Sequence, residues 1–413
     1  SPDQNRTLLN GAAVASADWF VLDNPSRAFN YTLLPSTIVS SLEVYKSPQA
    51  DIQEGSLGGT VMLRTRRPLD MDANSGVVQV QGMYSETSEE WDPNVSALYS
   101  WKNDAETLGF NASLTKQDRT LLREGQEILG FQQQDFGAGN QWTPRAIGDA
   151  YFEQERERET ILLTGQWRPT DSGEFTLAYL DSDLDANNTN YNRYEWFNGQ
   201  AGGGTIDPAT ARYVGSGVVA GEVKDNYSEY YVIDRVSYSE TESVDLQYTH
   251  NFETWSMDLR YGHTEAEGGT ESDRQYGFDR FLDRSTFNGL SHTPYYEGQV
   301  ESDEQLVTRG LGWMMENQRI MEDEEDYASV DFDFPLELGV FNGIKTGLNY
   351  RDHDKSQYQE GTRFHWLTDA MHSDDAIEYG GGSDTSGWDR WLYGNLDAGT
   401  LANYARNESG APY

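Results

Sequence analysis

A chain of 413 residues with a formal net charge of −39 is a poor partner for nucleic acid, because phosphate neutralisation needs Lys and Arg in excess. The absence of Cys excludes a disulfide framework and a thiolate metal site, and no apolar run reaches the roughly 18 residues of a membrane helix. Disorder is opposed by 25 Tyr, 16 Phe and 11 Trp, whose large apolar surfaces favour a packed, β-rich chain. A hydrophobic fraction of only 36% still allows a barrel, whose strands expose alternate residues to lipid.

In chain order, the opening SPDQNRTLLNGAAVAS reads as a strand region, and residues 33–41 (LLPSTIVSS) as a short helix feeding the strand Leu42 to Tyr45. A turn follows at Ser47-Pro48, and then a glycine-punctuated strand pair. Gly55, Gly58 and Gly59 supply positive φ or close backbone approach there. Thr60 to Arg64 alternates apolar and polar residues before the basic knot Arg64, Arg66 and Arg67, and Pro68 stops the ladder.

From residue 76 the chain carries nine segments with period-two alternation, at 76–84, 94–102, 107–115, 160–168, 174–180, 244–250, 255–261, 327–334 and 344–351. Each has an apolar face and a strongly polar one: Val95, Ala97, Tyr99 and Trp101 oppose Asn94, Ser96, Ser100 and Lys102. Short links at 103–106, 169–173, 251–254 and 335–343 alternate with mostly long ones near 118–159, 181–230 and 262–320, the one short exception being 85–92. Such alternation describes an outer-membrane barrel with short turns on one side and long loops on the other. Trp101, Trp167, Trp255 and Phe334 gather at the short-turn ends, as in an interfacial aromatic girdle. A soluble β-sandwich would show the same alternation strand by strand, but long structureless loops are uncommon in compact domains.

The stretch 41–70, SLEVYKSPQADIQEGSLGGTVMLRTRRPLD, resembles the end of the plug domain of TonB-dependent outer-membrane receptors of Gram-negative bacteria over nearly all its length. The resemblance implies an all-β transmembrane fold: an antiparallel barrel of 22 strands when complete, about nine of them here, with an α+β plug. It divides the chain into the C-terminal part of a plug at 1–70 and the N-terminal part of a barrel at 71–413, a partial receptor. By the same resemblance Arg64, Arg66 and Arg67 are plug–barrel contacts, against the alternative of an ordinary charged connector.

Asp181, Asp183 and Asp185 repeat at the spacing that opens a calcium loop, but Ala186 takes the glycine position and Asn192 replaces the closing Glu. A solvated acidic face is the better reading, with calcium a weak alternative. Tyr191, Tyr194, Trp196 and Asn198 combine ring faces with carboxamides, a set suited to stacking on sugar C–H faces while binding hydroxyls. HTPYYE (292–297) and FHW (364–366) are weaker versions. No HExxH or comparable catalytic set is present, and the acids are too numerous to single out a glycosidase pair. The resulting expectation is a non-enzymatic receptor without cofactor, energised by TonB with ExbB–ExbD and embedded among outer-membrane lipid and lipopolysaccharide. Its cargo would be an oligosaccharide, with a ferric siderophore as runner-up. A surface glycan-degrading enzyme or an adhesion barrel stands as the alternative of another class.

Overall fold

A computed structural model describes residues 4–19, 29–47, 49–135, 139–197, 204–288, 310–339 and 341–365. Three strands, β1 (Asn5–Leu9), β2 (Val39–Tyr45) and β3 (Gly59–Thr65), form a small sheet in the order β1-β3-β2. β1 runs parallel to β3 and β2 antiparallel to it. Gly59, at φ 146°, lets β3 begin against β2, where a Cβ would fall 2.9 Å from the Tyr45 carbonyl oxygen. The helix expected over 33–41 does not form. A 3₁₀ turn at Tyr31–Leu33 precedes β2 instead, and Pro35, which has no N–H to donate, lies between them.

The rest is one large sheet. Its strands are β4 (Ser75–Ser85), β5 (Glu90–Lys102), β6 (Leu108–Ile128), β7 (Phe131–Asp135), β8 (Asn140–Pro144), β9 (Ala146–Thr170) and β10 (Gly173–Asp185). They are followed by β11 (Asn188–Trp196), β12 (Thr205–Ile206), β13 (Arg212–Val214), β14 (Gly217–Asn251), β15 (Ser256–Asn288), β16 (Gly310–Leu338) and β17 (Phe341–His365). The wall order is β4-β5-β6-β9-β10-β14-β15-β16-β17, an antiparallel meander whose nine members coincide with the nine alternating segments. Among the described residues no pairing joins β4 to β17.

Much of the long links proves to be strand. β14 and β15 pair from Ala220↔Asn288 down to Asn251↔Ser256, and β6 and β9 pair from Ile128↔Ile147 to Leu108↔Trp167. β11 continues the line of β10 between β9 and β14 after a break at Ala186 and Asn187. These extensions escape the period-two signal because polar residues occupy both faces beyond the apolar stretch. Asp181, Asp183 and Asp185, for example, follow Leu177 and Tyr179 on one face of β10.

The two faces of the wall reverse the usual arrangement of a water-soluble sheet. Its buried face is polar: Asn111, Ser113 and Thr115 on β6, Thr160, Thr164 and Gln166 on β9, and Ser239, Thr241 and Ser243 on β14. Its exposed face is apolar, with Phe110, Leu114, Trp167, Leu177, Val244, Leu246, Leu259 and Tyr261 open to the surroundings. Leu177 is 50% exposed while Thr164, one strand away, is 1% exposed. A sandwich would bury the leucines and hydrate the threonines; this wall is built for a hydrocarbon solvent outside and a filled interior.

The interior is filled by the small sheet and by described parts of the chain between β1 and β2. Ala15 N–H donates to Thr264 on β15 (3.0 Å) and Ser16 N–H to Asp323 on β16 (3.4 Å). Lys355 on β17 donates to the Ser16 carbonyl (3.1 Å), and Ser239 on β14 to that of Ala17 (2.8 Å). Three residues of extended chain reach at most about 10 Å, whereas four flat neighbouring strands span about 14 Å between their axes. Side chains from all four reach this segment because the wall curves around it. On the other flank the Leu33 carbonyl accepts from Thr160 of β9 and Ser182 of β10. Leu9, Ile38 and Leu63 pack with Leu162 and Leu180 of the wall into a shared apolar core.

At the short-turn end, outward rings form a ladder. Trp167 stacks near Phe175 (5.6 Å between centroids), Phe175 on Tyr248 (4.3 Å), Phe252 on Trp255 (3.8 Å) and Trp255 near Phe334 (5.8 Å). Amphipathic rings at one level of a lipid-facing wall mark a membrane interface. The fold is therefore a lipid-facing antiparallel β-barrel wall wrapped around an inner plug.

Candidate functional site

Strand register assembles an inward-facing aromatic group in the part of the wall beyond the apolar stretch. Tyr194 of β11 lies opposite Glu229 of β14, Tyr231 opposite Gly277 of β15, and Gly277 opposite Trp313 of β16. Because side chains alternate across a strand, Glu229, Tyr231, Tyr194, Trp196 and Trp313 project to the same inner side. Glu229, only 3% exposed, is the hub. It accepts from the Trp196 indole N–H (2.9 Å), from the Trp313 indole N–H and from the Tyr231 hydroxyl. Tyr231 meets Tyr194 and Trp313 edge-on, each at 5.1 Å. The Tyr194 hydroxyl donates to Glu127 of β6 at 2.6 Å.

With three donors on one carboxylate, Glu229 is occupied in orienting rings. Trp196 and Tyr231 remain partly accessible and can offer π-faces to a ligand. On the same face, further down the wall, lies a buried polar network. Arg235 pairs with Asp273 at 2.8 Å, their side chains 2% and 1% exposed, and Gln275 and Asn317 donate to the second Asp273 oxygen at 2.8 and 3.1 Å. Arg235 also donates to the Asn188 side-chain oxygen (3.3 Å), while the side-chain amide oxygen of the neighbouring Asn190 has no hydrogen-bond partner among the described residues. Rings above and carboxamides below give a surface that stacks and hydrogen-bonds, and the Arg235 guanidinium beside the carboxamides is paired with Asp273.

The predicted residues distribute as follows. Tyr194 and Trp196 join the inner cluster, whereas Tyr191 faces the other side of β11 and packs on Tyr151 at 5.8 Å. Asn198, residues 292–297 and Trp366 lie outside the described residues. Glu229, Tyr231 and Trp313 were not singled out by sequence, since nothing local links residues on three different strands. Asp181, Asp183 and Asp185 occupy alternate positions of β10 on the outward face. Residues two apart on one side of a strand are about 6.6 Å apart, too far for three side chains in line to close around one small cation.

Of the three arginines, Arg67 reaches the wall, donating to Gln247 of β14 at 3.1 Å and lying 3.7 Å from Glu174 of β10. Arg64 instead pairs inside the small sheet with Glu43 at 2.9 Å. Arg66 is exposed and meets β6 through its carbonyl, which accepts from Asn111 at 2.8 Å. A fourth arginine, Arg260 of β15, reaches inward from the wall and donates to the Asn10 carbonyl at 2.8 Å. The Glu43 carboxyl is held below its ordinary range, first by the Arg64 hydrogen bond and then by that of Tyr45.

No protein-family model and no curated protein matches the sequence. Among solved structures the chain is similar to the siderophore receptor PiuA from Acinetobacter baumannii (7% identity, TM-score 0.23), covering 88% of this chain and 55% of that one. It is also similar to BauA, the ferric preacinetobactin receptor from Acinetobacter baumannii (11%, TM-score 0.27; 86% and 53% covered). A third likeness is to the siderophore receptor PirA from Pseudomonas aeruginosa (12%, TM-score 0.24; 88% and 78% covered). The chain thus spans about half the length of the first two, and all three superpositions are loose.

Proposed function

We infer that this chain is the plug-bearing part of a TonB-dependent receptor of the Gram-negative outer membrane, taking up a scarce solute by active transport. The observation that carries this reading is the reversed wall: leucines and aromatics face outward, threonines and serines inward, and the inner face packs on a separate small sheet and hydrogen-bonds to the chain that joins its first two strands. An adhesion barrel or a surface enzyme has no need of an interior packed with a second sheet. The resemblance of residues 41–70 to a plug terminus supplies the family, with residues 1–70 as plug and 71–413 as wall. TonB with ExbB–ExbD would act on the plug, and outer-membrane lipid and lipopolysaccharide would surround the wall.

For the cargo we favour a neutral oligosaccharide. Tyr231 and Trp196 offer ring faces, carboxamides lie nearby, and Arg235 is neutralised by Asp273. An anionic ferric chelate would meet carboxylates at Glu127, Glu229 and Asp273 without a free guanidinium from this pair. A ferric siderophore is the second reading, being the ligand class in the descriptions of the structures the chain resembles. Accumulation of labelled ligand in cells, with and without TonB, tests the transport reading: equal uptake in both would overturn it. Binding to the purified protein, compared between neutral oligosaccharides and ferric chelates, tests the cargo. Tight chelate binding with no glycan binding would reverse our preference.

A further inference from the structure

We propose that His263, Asp326 and Glu324 form a binding site for a divalent transition-metal cation of the Zn²⁺ class on the outward face of the wall. The site is separate from the inner cluster and lies at the upper edge of the apolar stretch. His263 of β15 is directly cross-strand from Asp326 of β16, and Glu324 lies two residues from Asp326 on the same face. One ligand atom from each of the three falls within 4.8 Å of the others. The His263 Nδ1 lies 3.0 Å from Asp326 Oδ1. Two donors bound to a tetrahedral Zn²⁺ at about 2.0–2.2 Å are separated by about 3.4 Å, so these two atoms need to part by only about 0.4 Å to admit a cation in place of the shared proton.

Two further features favour a metal over a simple imidazole–carboxylate hydrogen bond. First, Glu265 Oε2 stands 3.8 Å from the His263 Nε2. It is placed to take the N–H that a metal-bound imidazole presents on its far nitrogen, the usual outer partner of a histidine ligand. Second, the register lines up carboxylates across five strands, Asp181↔Glu242↔Glu265↔Glu324↔Asp354, and pairs Asp326 with Asp352. Like charges directly across strands repel, and among the described residues no Lys or Arg forms an ion pair with Glu324 or Asp326. The imidazole separates this site from the rest of the acidic row. All-oxygen groups suit Ca²⁺ and Mg²⁺, whereas a nitrogen donor with two carboxylates suits Zn²⁺, Ni²⁺ or Cu²⁺. Neighbouring strands fix all three residues, so the site is preformed, with its open side toward solvent for water ligands.

The test is Zn²⁺ binding to the purified protein in detergent, by competition with a chromophoric chelator, with millimolar Mg²⁺ present to occupy all-oxygen sites. The native chain should hold one Zn²⁺ that His263→Ala and Asp326→Asn each release, while Glu240→Gln, on the same face but outside the three, retains it. Glu265→Gln should weaken binding several-fold without abolishing it. Cu²⁺ bound in place of Zn²⁺ should show electron-spin coupling to one imidazole nitrogen, lost in His263→Ala. Unchanged Zn²⁺ stoichiometry in His263→Ala, with the strand circular dichroism intact, would overturn the proposal. So would a copper signal without nitrogen coupling in the native chain.

Discussion

Gly277 and Trp313 face each other across β15 and β16, and the indole occupies the space where a side chain at 277 would stand: a Cβ there would fall 2.1 Å from the Trp313 indole nitrogen. The ring can reach Glu229 because its cross-strand neighbour has no side chain. Gly148 opposite Tyr194 and Gly262 opposite Tyr327 repeat the arrangement, with Cβ positions 2.3 Å from the Tyr194 ring and 2.2 Å from the Tyr327 hydroxyl. Gly277→Ala should therefore destabilise the protein by about 1–3 kcal/mol, the usual cost of overpacking. Trp313→Leu in the same chain should recover part of it. Urea unfolding followed by tryptophan fluorescence checks both, and additive losses would argue against the contact.

If the inner cluster binds cargo, its accessible rings carry the affinity. Trp196→Ala should cost about 2 kcal/mol of binding, the scale of an interfacial hot spot and roughly 30-fold in affinity. Glu229→Gln should weaken binding less, since it loosens the rings without removing them. Isothermal titration with the preferred ligand reads this. The reading of the cluster fails if Trp196→Ala binds as the native chain does.

The Arg235–Asp273 pair is buried at both ends, so removing one partner strands the other charge. Asp273→Ala should cost about 3–5 kcal/mol of stability. The double replacement Arg235→Met, Asp273→Leu should be milder than either single change, because no charge is left without a counterpart. Chemical unfolding of the three variants distinguishes this from simple loss of packing.

The lipid-facing reading separates two neighbours on one strand. Leu177→Arg places a charge on the exposed apolar face and should lower folding into bilayers by about 2–4 kcal/mol if it sits near the midplane. Thr176→Ser, on the inner face, should change it little. Equal effects of the two substitutions on folding into lipid vesicles would contradict the assignment of faces.

Glu43 titrates below its ordinary value when folded because Arg64 and Tyr45 bond its charged form. Its contribution is thus present above the unfolded glutamate pKa of about 4.3 and fades as pH falls through the lower folded value. Glu43→Gln should flatten the acid side of the stability–pH curve while leaving neutral pH almost untouched, since the pair is exposed. Unfolding midpoints between pH 3 and 7 would show this.

The nine wall strands, the outward apolar face and the aromatic end were legible in the sequence because each rests on a local period of two or on turn length. Three things were not. The helix expected over 33–41 does not form, because that stretch is pinned by wall hydrogen bonds to the Leu33 carbonyl and by β2–β3 pairing. The extensions of β14 and β15 carry polar residues on both faces, so pairing rather than pattern defines them. The hub at Glu229 depends on which residues of β11, β14 and β16 stand level, and alternation within single strands does not contain that register. Tyr191 and Tyr194 show the limit clearly: three residues apart in one aromatic segment, they point to opposite sides of the wall.

The strand extensions also decide what meets the outside world. A bilayer occupies about 9–11 residues of a tilted strand, whereas β14 has 35. At about 3.3 Å per residue its contour is near 115 Å, so most of it stands clear of lipid as a palisade. If the Glu229 cluster binds cargo, its Tyr231 and Trp313 rings stand on strands rather than on loops and are already oriented before the ligand arrives.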